Sequence, residues 1–225
     1  MLMSDHHGDL LMTCLRPLAH SIYRLIFPAK TVGLDNYRRL PADQPLIVAA
    51  NHPGHHDPIL LISRIDRNLH FLAKTELLDG HFGWFFSRLG LVRVNRDKHG
   101  SGLEQAKRYL MDGHIIALFP EGTIKFKTVN QLLPFKHGAI KLANATGAPI
   151  LPVAIIGRPR PFWFRRCRIC FGQAYHPNEQ LDIDQETTRL QEKILELMKA
   201  NGVGSAEIIP GKPAQNPGKE PPKQV

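Results

Sequence analysis

The sequence has few cysteines, few tryptophans and no long apolar run, and each shortage excludes a class of protein. Among 225 residues there are only 3 cysteines and 2 tryptophans. An odd number of cysteines, without a secretory signal ahead of them, argues against a disulfide scaffold and for a reducing compartment. No segment offers the roughly 20 consecutive apolar residues that span a bilayer. A chain of 225 residues is long enough for one α/β domain and too short for two, so we expect one folded domain with one active site.

Two of the cysteines, Cys167 and Cys170, form a C-x-x-C pattern. A metal or redox site of this kind needs a second cysteine pair or a thioredoxin-like context, and the sequence has neither. The pattern therefore indicates two ordinary residues of a strand, and a metal site is the alternative.

Basic residues outnumber acidic ones. There are 29 Lys plus Arg against 20 Asp plus Glu, which gives a net charge of +9. Such a charge attracts phosphorylated substrates, anionic lipid headgroups or nucleic acid. No aromatic-rich RNA-binding run, zinc-finger spacing or leucine heptad accompanies the basic residues, so we expect no nucleic-acid partner.

The first 30 residues differ in pattern from the rest of the chain. Within the apolar stretch 9–27, Arg16, His20 and Arg24 recur every four residues and so share one face of a helix. The pattern predicts an amphipathic helix in residues 1–30 that lies in the membrane interface. A surface helix packed on the domain is the alternative.

The remainder of the chain divides into a folded domain and a tail. Residues 31–201 alternate strand-like and helix-like runs, which predicts a single α/β domain with a mixed, largely parallel sheet flanked by helices. Residues 202–225 are rich in Pro, Gly and Lys and predict a disordered tail.

The strongest local pattern, N-H-P-G-H-H-D, follows the predicted strand 46–50. A Pro-Gly turn lets the chain fold back, so that His52 and Asp57 can meet. A carboxylate bound to one imidazole nitrogen fixes the tautomer and leaves the other nitrogen free to accept a proton. No activated Ser or Cys nucleophile is evident beside the pair. We expect His52 to deprotonate a hydroxyl of the acceptor.

Other interpretations of this segment are open. Asp57 can serve only as the N-cap of the helix that it begins, and a histidine in a turn is often a surface residue. The cluster of His52, His55 and His56 can also hold a metal ion, as in a hydrolase.

Four short motifs follow one another between residues 46 and 156. They are N-H-x-x-x-x-D from Asn51, G-L-V-R-V-N-R-D from Gly90, F-P-E-G-T from Phe119 and I-L-P-V-A-I from Ile150. In this order they resemble the motifs of the lysophosphatidate (1-acylglycerol-3-phosphate) acyltransferases and related glycerolipid acyltransferases. The resemblance implies a glycerol-3-phosphate acyltransferase-like fold and a catalytic pair of His52 and Asp57. Because thioester donors are already activated, we expect no metal and no cofactor beyond the acyl carrier.

The resemblance also implies which residues bind substrate. The arginine of the second motif binds the acceptor phosphate, and the third motif lines the acceptor site, with a lysine following it at the expected distance. In this sequence these residues are Arg93, Glu121, Gly122, Thr123 and Lys136.

One position departs from the family pattern. The family commonly has arginine and serine directly after F-P-E-G-T, whereas this chain has Ile124 and Lys125. The candidates for the missing positive charge are Lys125, Lys127 and Lys136. A lysine offers a point charge where arginine offers a fork of donors. The acceptor is therefore less firmly indicated than the type of reaction.

Together these observations predict an enzyme that moves an acyl group from acyl-CoA or acyl carrier protein to the hydroxyl of 1-acylglycerol-3-phosphate, giving phosphatidate in phospholipid synthesis. We expect a monotopic or peripheral protein on the anionic cytoplasmic face of the inner or plasma membrane, where the basic aromatic stretch 158–168 suits lipid headgroups. The alternatives are a related acyltransferase for glycerol 3-phosphate, a lysophospholipid or an aminolipid, a metal-dependent hydrolase, and a non-catalytic membrane-binding module.

Overall fold

The computed structural model describes most of the predicted domain. The described residues are 21, 24–25, 28–67, 69–74, 91–94, 101–124, 130–158, 167–178 and 180–209, with the backbone alone for 72–74, 91–94 and 101. Most of the helix predicted within residues 1–30 and most of the tail predicted for 202–225 lie outside the described residues.

Nine strands are present in the described part of the chain. They are β1 (Lys30–Val32), β2 (Leu46–Ala50), β3 (Leu69–Lys74), β4 (Leu91–Val94), β5 (Ile115–Leu118), β6 (Gln131–Leu132), β7 (Ile150–Ile156), β8 (Arg168–Phe171) and β9 (Glu207–Ile208). Seven of them form one sheet in the order β1-β8-β7-β2-β5-β3-β4, and β6 pairs with β9. Only β7 and β8 pair antiparallel within the large sheet. The prediction of a mixed, largely parallel sheet is therefore confirmed.

Helices cover both faces of this sheet. They are α1 (Asp35–Arg38), α2 (Asp57–Ile62), α3 (Ser101–Met111), α4 (Gly138–Thr146) and α5 (Ile183–Ala200). Buried residues of α3, α4 and α5 belong to one apolar cluster, and buried residues of α1 and α2 belong to a second. The fold is thus a sheet between two helical layers, as predicted for an α/β domain.

The central strand β2 shows why this sequence forms a buried strand. All five of its residues are fully buried. Ile47 and Ala49 join the cluster of α3 to α5, whereas Leu46, Val48 and Ala50 join the cluster of α1 and α2. Because both faces of β2 are covered, its sequence is apolar throughout instead of alternating. This burial fixes the position at which β2 ends and the predicted catalytic turn begins.

The sequence of helix α5 explains where the helix begins and which of its faces is buried. The Asp182 side chain accepts from the backbone N–H of Gln185, and the Gln185 side chain accepts from that of Asp182, which forms a capping box. Leu190, Ile194 and Met198 are fully buried and recur every four residues. Each such side chain contributes about 1.5–3 kcal/mol when it leaves water.

The tail begins later than predicted. Val203 and Ala206 are buried, and Glu207–Ile208 pair in parallel with Gln131–Leu132. The polar composition after Gly202 concealed these few apolar contacts, so the tail boundary predicted at residue 202 is wrong by several residues.

The two cysteines of the C-x-x-C pattern lie on opposite sides of the sheet. Cys167 belongs to the cluster of α1 and α2, and Cys170 belongs to the cluster of α3 to α5. Residues three apart along a strand face opposite ways, so the two thiols cannot share a ligand. Both are buried and free; Cys170 belongs to β8 and Cys167 directly precedes this strand.

Candidate active site

The candidate site begins where β2 ends. Asn51 is fully buried, and its Oδ1 accepts from the backbone N–H of Ile155 at 2.7 Å, while its Nδ2 donates to the Ile155 carbonyl at 2.8 Å. The side chain therefore extends the β2–β7 pairing by one residue. This contact fixes the direction in which the chain leaves the sheet.

The next residue brings the predicted catalytic pair together. His52 Nδ1 lies 2.8 Å from Asp57 Oδ2. Gly54 donates its backbone N–H to the same carboxylate oxygen at 2.7 Å, which closes the turn between the two residues. The side chain of His52 is 15% exposed and that of Asp57 is fully buried. Since Nδ1 is held by the carboxylate, Nε2 is the imidazole nitrogen left to accept a proton.

Asp57 does not cap α2 with its side chain. The helix starts at Asp57 itself, His56 occupies the N-cap position without a side-chain capping bond, and Pro58 is the second helical residue. The prediction of an Asp57 N-cap is therefore wrong. Its Oδ2 instead accepts from the Gly54 N–H and lies against His52 Nδ1.

The environment of Asp57 is costly for a charge. Burial raises the pKa of this carboxyl above its ordinary value, and the hydrogen bond to His52 lowers the pKa by a smaller amount. In the described part of the chain Oδ1 is buried without a hydrogen-bond partner. A buried polar atom of this kind costs stability, and such costs are typical of functional sites.

Glu121 joins the turn to a second loop. Its Oε1 accepts from the backbone N–H of His52, and its Oε2 accepts from that of Leu133, both at 2.9 Å. The residue is 1% exposed. Glu121 therefore joins the segment of His52 to that of Leu133 by charge-assisted hydrogen bonds to their backbone N–H groups. We call it a clamp, because it restrains the backbone position of His52.

The other predicted residues of the third motif lie beside this clamp. Gly122 has a φ of 69°, and a Cβ placed on it would lie 2.8 Å from Lys136 Cε. The backbone N–H of Lys136 donates to the Pro120 carbonyl at 2.8 Å, and the side chain is exposed. Thr123 is exposed as well. The backbone conformation favours glycine here, and the Lys136 side chain passes close over it.

Arg93 lies on a different strand from the catalytic pair. It belongs to β4, at the far edge of the sheet from β1, and pairs with Ala73 of β3. Its side chain is outside the described part of the structure, as are Lys125 and Lys127. The role predicted for Arg93 in phosphate binding therefore stays a prediction.

Two residues that the sequence interpretation had not linked to the predicted catalytic turn are in contact with it. The ring of Phe119 stacks on His52 with centroids 3.9 Å apart and an interplanar angle of 11°. Arg158 Nε donates to the Pro53 carbonyl at 3.0 Å. Phe119 is the first residue of the third motif, so the motif itself offered a signal. Arg158 stands after the fourth motif, and no spacing rule connects it to residues 52–57.

The histidine cluster is spread over the turn. His55 and His56 are exposed, whereas His52 is largely covered. Among the residues that the structure describes, no group of three His, Cys, Asp or Glu side chains is placed to hold a metal ion. The same part of the chain contains no helix with the length and apolar character needed to cross a bilayer.

Comparison with curated proteins gives relatives that share about half of this chain. A 1-acyl-sn-glycerol-3-phosphate acyltransferase of Bacillus subtilis (strain 168) is 31% identical over 129 residues, which cover 56% of this chain and 63% of the relative. The protein of the same name from Haemophilus influenzae is 33% identical over 130 residues, 54% of this chain and 53% of the relative. The chain thus spans less than two thirds of the length of these relatives.

Structural comparison and a family model agree on the domain. The crystal structure of the 1-acyl-sn-glycerophosphate (LPA) acyltransferase PlsC from Thermotoga maritima superposes with a TM-score of 0.68 and 23% identity, covering 89% of this chain and 84% of that chain. The two proteins therefore share a fold. The family model described as Acyltransferase matches residues 31–156, which is more than half of the sequence and includes β2, α2 and the whole turn. The resemblance of the motifs is thereby confirmed, and the chain belongs to the Acyltransferase family.

Proposed function

We propose that this protein transfers an acyl group from a thioester to the free hydroxyl of 1-acylglycerol-3-phosphate, with His52 as general base. The observation that carries the proposal is the 2.8 Å contact between His52 Nδ1 and a fully buried Asp57. A carboxylate in this position keeps a proton on Nδ1 and directs the basic lone pair to Nε2. The names of the curated relatives support the choice of acceptor.

The reaction needs two proton transfers, one from the acceptor hydroxyl to His52 and one from His52 to the leaving thiolate. Nε2 of His52 accepts the proton of the acceptor hydroxyl while the hydroxyl oxygen attacks the carbonyl carbon of the thioester. The intermediate then collapses, the new ester forms and the carbon–sulfur bond breaks. The leaving thiolate takes the proton from the imidazolium, so the enzyme returns to its starting state. The step is the same for acyl-CoA and for acyl carrier protein.

The surroundings of His52 prepare the imidazole for this role. The Asp57 charge stabilises the imidazolium that forms in the transition state. Glu121 holds the backbone N–H of His52, and Phe119 stacks on the ring, so two further contacts restrict its position. Restricting the base in this way lowers the entropy that the reaction must otherwise lose.

Positive charge near the turn supports a phosphorylated acceptor at an anionic membrane surface. Lys136 is exposed beside Gly122, and Arg158 is held against Pro53. We propose that these two side chains, together with Arg93, attract the acceptor phosphate. The net charge of +9 favours the same surface for the whole protein.

The test is thiol release from acyl-CoA or acyl carrier protein, measured with and without lysophosphatidate, for wild type, His52→Ala and His55→Ala. His55 is a matched control because it is a histidine of the same turn that is exposed. We expect acceptor-dependent release to fall by about 10²–10⁴ in the His52 variant and to stay near wild type in the His55 variant.

Each outcome of this test has a clear meaning. Equal turnover in His52→Ala and wild type, with both proteins folded by circular dichroism, contradicts the proposed base. Loss of activity in both variants contradicts the assignment of the role to His52 alone. A panel with glycerol 3-phosphate and other lysophospholipids then decides whether the acceptor is the one proposed.

A further inference from the structure

A second cationic site lies outside the predicted catalytic residues. An open cleft of about 520 Å³ is lined by Pro28, Ala29, Thr31 and Leu34 and by four basic residues. The four basic residues are Arg24, Lys30, Arg38 and Arg64. We refer to it as the β1 cleft, because it is built around β1 and the helix that follows this strand.

The buried member of the four is fixed by its neighbours. Arg64 is 8% exposed. Its Nε donates to Thr31 Oγ1 and one terminal nitrogen donates to Ser63 Oγ, both at 2.9 Å, while the other donates to the Ala29 carbonyl at 3.3 Å. These bonds tie β1 to the end of α2 and place a guanidinium in the wall of the cleft. A positive charge is thus part of the folded structure at this point.

The other three basic residues, Arg24, Lys30 and Arg38, are exposed and also line the cleft. Arg24 donates through Nε to the Ser63 carbonyl at 2.9 Å, which holds its side chain at the cleft. Lys30 and Arg38 form no ion pair with any residue that the structure describes. Their charges are available to an anion that enters the cleft. A cleft lined by four basic residues suits an anionic ligand, and a phosphate group offers two negative charges to donors of this kind.

The start of β1, where Lys30 lines the cleft, lies at the same end of the sheet as His52. Lys30 pairs with Arg168, which pairs with Ile156 at the carboxyl end of β7. Asn51 bonds to Ile155 at that end. Three strand spacings separate β1 from β2, so the cleft lies about 14 Å to the side of the catalytic turn. A flat anionic surface can therefore meet both places at once.

We propose that the β1 cleft binds the phosphate group of a phospholipid or of a soluble glycerophosphate, at a site separate from the reaction centre. The volume exceeds that of a phosphate alone, and Leu34, Pro28 and Ala29 provide an apolar wall for the adjoining carbons. Charge and shape thus favour a phosphate ester over a bare anion. The site adds an anchoring point beside the catalytic turn.

The test compares two double variants that remove the same charge. Lys30→Gln with Arg38→Gln alters the cleft at two exposed positions, which leaves the bonds of Arg64 in place. Arg108→Gln with Lys141→Gln is the matched control, because both residues are exposed on α3 and α4, which pack on the opposite face of the sheet. Thermal melts confirm that both proteins are folded.

Binding is measured in two arms that need no catalysis. In one arm each protein is floated with phosphatidylcholine vesicles that contain or lack phosphatidylglycerol. In the other arm glycerol 1-phosphate is titrated and followed by calorimetry. For the cleft variant we expect binding to fall by about 10–30-fold in at least one arm, from about 1 kcal/mol for each cation. The control variant is expected to lose less than about threefold.

The two arms identify the source of the phosphate. A difference between the variants with vesicles alone assigns the cleft to membrane lipid, and a difference with glycerol 1-phosphate assigns it to soluble esters as well. Equal behaviour of the two double variants in both arms overturns the proposal, since only general charge is then at work. Because neither arm measures turnover, the result is independent of the proposed transfer reaction.

Discussion

Replacing Asp57 with asparagine tests the predicted catalytic pair more sharply than removing the side chain. Asparagine keeps the shape of aspartate, and its Oδ1 can accept from the backbone N–H of Gly54 and from His52 Nδ1, as Asp57 Oδ2 does at 2.7 and 2.8 Å. The tautomer of the imidazole is therefore preserved. What the variant loses is the negative charge beside the imidazolium that the proposed mechanism forms at His52.

This loss predicts a specific kinetic result. A preorganised charge that acts only in the transition state raises kcat without changing substrate binding. We expect kcat for thiol release to fall by about 10²–10⁴ in Asp57→Asn, with little change in KM. Asp112→Asn is the control, because Asp112 is an exposed carboxylate after α3. A kcat near wild type refutes the role assigned to the Asp57 charge.

The same variant predicts how stability depends on pH. The ordinary pKa of this carboxyl is 3.8, and burial raises the pKa in the folded protein. Below the ordinary value Asp57 is protonated in both states, so the wild type has its full stability there. As pH rises through the raised folded pKa, the wild type loses free energy of unfolding, because the folded state must ionise a buried group. Asp57→Asn has no such loss.

We therefore expect the difference in Tm between Asp57→Asn and wild type to change with pH. The new amide nitrogen takes the place of the unpartnered Oδ1 and costs about 1–3 kcal/mol at every pH. The Tm of Asp57→Asn relative to wild type rises between acid and neutral pH, by about 2–4 °C for each kcal/mol of desolvation removed. Melting curves at a series of pH values measure this difference. A constant difference contradicts a raised pKa at Asp57.

Two further predictions concern buried polar groups. Glu121→Gln places an amide against one of the N–H groups of His52 and Leu133, so we expect a loss of about 1–3 kcal/mol in chemical denaturation and a lower kcat; unchanged stability contradicts the clamp. Burial raises the pKa of Cys167 to about 12 and that of Cys170 to about 11 from 9.0. At pH 8 we expect iodoacetamide to label the folded protein at these thiols about 100–1000-fold more slowly than the unfolded protein, by mass spectrometry, and rapid labelling when folded refutes this.

The central strands and the longer helices were predictable because their local pattern and their burial agree. The apolar run 46–50 forms β2 with the predicted bounds, α2 begins at Asp57 as predicted, and α5 carries Leu190, Ile194 and Met198 at helical spacing. Each of these elements carries enough apolar residues to identify the face that it buries. For such elements the sequence pattern alone determines the type of structure.

The short elements were not predictable from local pattern. Strand β1 has three residues, α1 has four, and β6 and β9 have two each. Such pieces have too few residues for a period of either 2 or 3.6 to be recognised. They form because a distant partner is in place, as Thr31 pairs with Ile169 and Leu132 with Ile208. Tertiary contact therefore overrides the weak local signal.

The candidate site also has a part that was predictable from local sequence and a part that was not. His52 and Asp57 were predicted as a pair because they are five positions apart with a Pro-Gly turn between them, and the structure places them together. The partners that support the turn come from much farther along the chain, since Glu121 is 69 residues and Ile155 is 104 residues from the group that it contacts. No spacing rule reaches so far. The fold alone brings these groups to one end of the sheet.

The turn is therefore positioned by residues that take no part in proton transfer. Asn51 bonds to β7, His52 bonds to Glu121 through its backbone, and the Pro53 carbonyl accepts from Arg158. Each contact restrains a different residue of the turn, so loss of one leaves the others in place and shifts His52 by a small amount. A small shift of a general base is enough to slow a reaction that depends on aligned atoms. Substitutions at Arg158 should thus lower kcat through the position of His52 and raise KM through the lost attraction for the acceptor phosphate, while thermal melts show a folded protein.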